Sequence, residues 1–146
     1  MDDFERPLNK RGRKSAPFLG TILKKLKVAP DVILSSPANR AAMTARIIAD
    51  KIGYPPEKIH YSESIYEFSA NALIHIIENL DDVVIKAMLV GHNPALTDLA
   101  NYIGNQPISN IPTSGVFCAD LDIPSWAKIS DSCGKSKFFE FPKKHA

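Results

Sequence analysis

Apolar positions Phe18, Leu19, Ile22, Leu23 and Leu26 recur at three- and four-residue spacing after Gly12. That period predicts a first helix of about four turns. Pro30 stops it, and Val32-Ile33-Leu34 is a short uninterrupted apolar run of the kind buried in a parallel sheet. Ser35-Ser36-Pro37 then turns the chain into a second helix. Its close-packing face is Ala41, Ala42, Ala45, Ile48, Ala49 and Ile52, and Gly53 is placed to cap its C-terminus.

Further along, Ile59 to Tyr61 reads as a short strand, and Ser69-Ala70-Asn71-Ala72 opens a helix with the face Leu73, Ile76, Ile77 and Leu80. Val83 to Val90 carries the most pronounced strand pattern in the chain and runs directly into Gly91-His92-Asn93-Pro94. A fourth helix is predicted from Ala95 to Ile103. Val116 to Leu121 and Lys137 to Phe141 close the chain as an antiparallel pair of strands, with Pro124-Ser125-Trp126 between them. Strands alternating with helices indicate an α/β layered domain. No linker, repeat or break in composition divides residues 1–146, so the pattern predicts a single domain.

Composition narrows the classes of function. The apolar share of 45% and charged share of 23% are those of an ordinary globular protein. A net charge of +2 is too small to argue for nucleic acid or a membrane surface as the main partner. Cys118 and Cys133 have neither CxxC spacing nor a nearby histidine, which speaks against a disulfide framework or zinc site and suits a reducing, cytoplasmic setting. No apolar run approaches the roughly 20 residues of a membrane span, and the first residues are charged rather than signal-like.

Two strand-to-helix junctions carry the chemistry, Ser35-Ser36-Pro37-Ala38-Asn39-Arg40 and Leu89-Val90-Gly91-His92-Asn93-Pro94. Sites in open α/β sheets lie beyond the carboxyl ends of strands, where helix N-termini already favour anions. Arg40 offers a planar fork matched to phosphate oxygens. His92 can donate to a phosphate oxygen or stabilise charge in a transition state. Alone, an arginine after a strand is more often a surface or capping residue, and Gly-His-Asn-Pro more often a turn. On successive units of one sheet, the two together favour an oxyanion site.

The segments SSPANRAAMTA (35–45) and LVGHNPALTDLAN (89–101) resemble two motifs of the SixA-type phosphohistidine phosphatases, within the histidine phosphatase or phosphoglycerate-mutase-like superfamily. DDFERPLNKRG at 2–12, IYEFSA at 65–70 and NIPTSGV at 110–116 match in order and spacing. The resemblance implies a three-layer α/β/α fold and a metal-free, cofactor-free reaction. In that reaction a histidine of an Arg-His motif attacks phosphorus and water then cleaves the phosphohistidine. It assigns Arg40 and His92 to the arginine and histidine that hold the phosphoryl oxygens, His92 serving as a catalytic residue, and Arg6 to a further arginine near the pocket. The implied substrate is a phosphohistidine-bearing protein or a small phosphomonoester.

The Arg-His motif itself belongs at the end of a central first strand. This sequence starts at Met1-Asp2-Asp3, inside the loop that would follow it. The resemblance therefore implies a domain N-terminally incomplete by on the order of 15–20 residues. Its sheet is expected to be damaged, and its phosphatase activity absent as written for want of the nucleophile. His60 in a short strand, His75 in a helix and His145 in the tail do not fit the role. Three accounts follow: a coding start that lies further upstream, a truncated product, or a non-catalytic phosphate- or phosphoprotein-binding module using Arg6, Arg40 and His92.

Other polar residues have plainer expectations. Glu63 and Glu67 lie near the position of a proton donor in larger family members, but a solvated role is favoured. Asp98 faces solvent or supports a helix start. Thr113 and Ser114 form a turn that either approaches the pocket or simply reverses the chain. Cys118 is a strand packing residue. Lys10, Arg11, Arg13 and Lys14 either attract an acidic phosphoprotein or form an ordinary helix surface.

Overall fold

The computed structural model describes residues 2–66, 69–112 and 114–145. Helix α1 spans Lys10–Lys25, earlier than the apolar pattern alone suggests, because the side chain of Asn9 caps it by accepting from Gly12 N. It ends before Pro30. Lys27 takes a left-handed φ of 59°, while Lys27 N and Val28 N donate to the carbonyls of Lys24 and Leu23. This is a Schellman ending made without glycine. Strand β1 is Val32–Ser35 and helix α2 is Asn39–Ile52, closed by Gly53 at φ 82° as its position foretold. Strand β2 is His60–Tyr61, and helix α3 is Ala70–Glu78.

Strand β3 is Ala87–Val90, followed by helix α4 at Ala95–Ile103. The expectation of a strand from Val83 is corrected. Val83 and Ile85 are 79% and 76% exposed; Val84 N closes a turn onto the carbonyl of Asp81, and residues 84–86 are irregular. The reason is pairing. The β1 partner of Ala87 is Val32, and just before it Asp31 uses its carboxylate to accept from Ile85 N and Lys86 N. With no strand beside them, residues 83–86 gain nothing from an extended form. Strand β4 is Val116–Leu121 and β5 is Gly134–Glu140, so β5 begins three residues before the predicted Lys137.

The strands form a parallel sheet in the order β2-β1-β3 and a separate antiparallel β4-β5 ribbon. Alternation across the parallel sheet creates the layers. Ile33, Met88 and Val90 pack toward α1 and α2, whereas Leu34 and Leu89 pack toward α3 and α4. Val116 of β4 and Phe138 of β5 join Met88 against Leu19, Leu23 and Ile48, so one helical layer covers both sheets. Among the described residues, β3 and β4 are edge strands with no further strand paired to them. Although β3 has the sequence Ala-Met-Leu-Val, all four of its residues are only half-buried. Among the described residues, no helix is long and apolar enough to cross a membrane.

Candidate functional site

The carboxyl ends of β1 and β3 are tied together where Ser36 N donates to the carbonyl of Val90. Ser35 and Ser36 are fully buried. Small hydroxyl side chains suit this crowded junction because each can meet nearby polar groups. Ser35 Oγ donates to the carbonyl of Ser36, and Ser36 Oγ accepts from Ala38 N at the start of α2. Arg40 then projects from the first turn of α2. His92 lies just past β3 and is 7% exposed. Gly91, between them, keeps the junction uncrowded: a Cβ there would lie 3.0 Å from Cγ2 of Ile65, a tight contact.

The structure brings Arg40 and His92 into contact, with 3.2 Å between Arg40 Nη2 and His92 Nδ1. On the other side of the ring, His92 Nε2 lies 2.8 Å from Ser36 Oγ. A guanidinium only donates, so Nδ1 is the acceptor and Nε2 carries the proton it gives to Ser36. Burial, followed by the adjacent Arg40 charge, pushes the His92 pKa below its ordinary value of 6.5. The imidazole is therefore neutral at pH 7 in this arrangement.

The other edge of Arg40 already holds an anion. Its Nη1 donates to both the carbonyl and Oδ1 of Asp3, each at 3.0 Å, and Oδ2 of Asp3 accepts from the Tyr66 hydroxyl at 2.9 Å. The hydrogen bond from Tyr66, then that from Arg40, holds the Asp3 carboxyl below its ordinary 3.8, with the Arg40 and Arg6 charges adding to the effect. Rings of Phe4, Tyr66 and His92 stand edge to face in succession, with centroids 5.2 and 5.4 Å apart. The cluster is thus a guanidinium fork beside a buried imidazole, with one carboxylate seated on it. It can meet an oxyanion with charge and directional donors.

A second network supports His92 from below. Asn93 Oδ1 accepts from Thr97 N and Thr97 Oγ1, while Asn93 Nδ2 donates to the carbonyl of Ile111 at 2.6 Å. Thr97 Oγ1 accepts in turn from Ile111 N. The Asn93–Pro94 peptide is cis.

Not every predicted residue joins the cluster. Arg6 is exposed and, among the described residues, its side chain makes no hydrogen bond; its charge is felt at Asp3. Glu63 is exposed in a 3-10 turn, and Glu67 and Thr113 lie outside the described residues. Ser114 bonds Ser15 of α1 at 2.8 Å. Asp98 is exposed in the first turn of α4, as expected. Cys118 is a half-buried strand residue whose thiol is pushed up by burial. Lys10, Arg11, Arg13 and Lys14 form an exposed face of α1. His60 is exposed, and exposed His75 pairs with Glu78. Sequence reasoning assigned no role to Ser36, Asp3 or Tyr66, although all three fall within segments it singled out.

Comparison with known proteins bears on the family and the fold. A family model described as histidine phosphatase superfamily (branch 1) matches residues 3–79. The uncharacterized protein Rv1276c of Mycobacterium tuberculosis is 30% identical over 152 residues, which cover 97% of this chain and 92% of that protein. Among solved structures, a protein of Agrobacterium tumefaciens named for the phosphohistidine phosphatase SixA superposes with a TM-score of 0.78 at 27% identity. That match covers 97% of this chain and 87% of the other. The protein histidine phosphatase SixA complexed with tungstate gives a TM-score of 0.83 over 99% of this chain and 90% of the other. At 19% identity it bears on the fold. The α/β architecture is therefore the phosphoglycerate-mutase-like one, and the chain belongs to the histidine phosphatase superfamily, branch 1.

Proposed function

We propose that Arg40 and His92 form the phosphoryl-holding half of a phosphatase site, and that residues 1–146 alone bind phosphate without turning over a phosphorylated substrate. The observation that carries this reading is the seat on Arg40, where a guanidinium backed by His92 already grips the Asp3 carboxylate. A phosphoryl group offers the same planar fork more charge and more acceptor oxygens. The SixA-named relatives favour a phosphohistidine-bearing partner protein as substrate, with a small phosphomonoester as the simpler alternative. Action in the cytoplasm belongs to the same reading and is supported by two unbridged cysteines.

The second half of the proposal is the missing nucleophile. Among the described side chains, His60 and His75 are exposed and belong to other parts of the surface, and His92 is committed to Arg40 and Ser36; the side chain of His145 lies outside them. We assign the nucleophile to an Arg-His segment on an additional strand that pairs between β3 and β4, completing one sheet. The edge of β3 and the edges of the β4-β5 ribbon, packed under one helical layer, support that placement. A non-catalytic phosphate- or phosphoprotein-binding module is the alternative, favoured if the chain functions as it stands.

Titration of 1–146 with inorganic phosphate and vanadate tests the site. Binding is expected, with at least a tenfold loss in Arg40→Ala, on the scale of a charge-assisted hydrogen-bond pair. Unchanged binding in that variant would overturn the assignment. Hydrolysis of phosphohistidine or p-nitrophenyl phosphate by 1–146, abolished by His92→Ala, would overturn the claim of inactivity. An apolar strand ending in Arg-His, placed ahead of Met1, is expected to confer hydrolysis.

A further inference from the structure

Residues 2–6 fold back over the site as a short strap. Asn39 N, at the first turn of α2, donates to the carbonyl of Phe4, and Asn39 Nδ2 donates to that of Glu5. Arg6 N closes a turn onto the carbonyl of Asp3, and Asp2 Oδ1 accepts from Glu5 N. These anchors deliver Asp3 to the side of Arg40 opposite His92. There its carboxylate spans two donors on different elements, Arg40 Nη1 and the Tyr66 hydroxyl. Phe4 closes the edge by packing on Tyr66.

We propose that Asp3 is a built-in competitor for the Arg40 site and sets the affinity that an incoming anion must exceed to occupy it. The proposal rests on the assignment of Arg40 as an anion-holding residue. An incoming oxyanion must displace the Asp3 carboxylate from Arg40 Nη1 before the fork can turn to it. Because Asp3 is tethered, it competes at a fixed, high effective concentration whatever the solution contains. A singly charged carboxylate or chloride offers Arg40 no more than Asp3 does and is excluded. A doubly charged phosphoryl group brings more charge and more oxygens. The strap therefore lowers the affinity of every such anion by one common factor, which takes weak anions out of the working range and leaves phosphoryl groups within it. It is also easily moved, since the Arg40–Asp3 pair is part-exposed, with side chains 29% and 47% accessible.

Calorimetric titration of 1–146 with inorganic phosphate and with acetate tests this. Asp3→Asn is expected to tighten phosphate by about three- to tenfold, the scale of one part-exposed ion pair held by a tether. It is expected to tighten acetate by a similar factor, because both anions must displace the same carboxylate. Tyr66→Phe, which removes one anchor of the carboxylate, is expected to shift both affinities the same way by a smaller amount. Glu5→Gln, a neighbouring carboxylate that does not touch Arg40, is expected to change neither. Thermal unfolding followed by circular dichroism confirms that each variant is folded, and Tyr66→Phe carries the test if Asp3→Asn does not fold. Weaker or unchanged phosphate binding in Asp3→Asn, with binding still lost in Arg40→Ala, would overturn the competitor role alone. Absence of phosphate binding in wild type and Asp3→Asn alike would overturn the Arg40 assignment with it.

Discussion

Arg40 Nη2 meets Nδ1 of His92 at 3.2 Å, and this single contact fixes the imidazole as neutral and protonated on Nε2. His92 thus has no proton to offer on the side that faces Arg40. For it to donate toward an anion there, the ring must gain a second proton. Phosphate binding and proton uptake at His92 are therefore linked, because a nearby dianion favours imidazolium. Nitrogen-detected NMR of the free protein is expected to show the Nε2–H tautomer and a pKa below 6.5. Saturating phosphate is expected to raise that pKa. A free-state pKa above 6.5 would contradict the contact as drawn.

Ser36 is the residue on which the orientation of His92 depends. Its Oγ is fully buried and accepts from both Ala38 N and His92 Nε2. Ser36→Ala leaves two donors without their partner in a crowded junction. Stability is expected to fall by about 1–3 kcal/mol, the usual desolvation cost of an unmet buried polar group. Urea unfolding measures it. Phosphate affinity is expected to fall as well, since the ring loses the bond that holds its tautomer.

The positions of Arg40 and His92 were legible because each follows an apolar run at a strand-to-helix junction, and parallel topology brings such junctions together. Ser36 was not legible as a hinge of the site, since a serine beside a proline looks like any turn until its burial is known. Asp3 and Tyr66 were hidden for another reason. They meet across 63 residues of chain, and neither has a periodic pattern to announce it. The error at 83–86 has a physical source. Val83, Val84 and Ile85 have the β-branched composition of a strand, but pairing decides the outcome, and Asp31 caps the amides at Ile85 and Lys86. Gly53 was readable because a glycine C-cap depends on local chemistry.

Asn93 requires an amide, since it donates to one segment while accepting from another. Its Nδ2 reaches the Ile111 carbonyl and its Oδ1 receives both Thr97 donors. Asn93→Asp keeps the shape but sets a carboxylate oxygen against the Ile111 carbonyl. It is expected to lower stability by about 1–3 kcal/mol and to loosen residues 108–112. Asn93→Ala should lose a comparable amount through three unmet groups. Thermal melts and hydrogen exchange at the Ile111 amide, which rests on Thr97 Oγ1, report both effects. Unchanged exchange at that amide would show that Thr97 does not need Asn93.

Stability as a function of pH is expected to fall in two separable stages. His92 titrates below its ordinary 6.5 in the folded chain, so the unfolded chain takes up that proton first as pH falls. The unfolded state then binds more protons, and stability declines from near pH 6.5 down through the folded pKa before levelling. Asp3 and Asp31 are also lowered, Asp3 chiefly by Tyr66 and Asp31 by the amides of Lys86 and Ile85. Their contributions are present above 3.8 and lost as pH falls through their lower folded values. Urea midpoints collected from pH 8 to pH 3 should separate the stages. In His92→Gln the upper decline is expected to vanish while the acid one remains, because glutamine does not titrate. An upper decline that persists in His92→Gln would mean that another group, not the imidazole beside Arg40, governs stability near neutral pH.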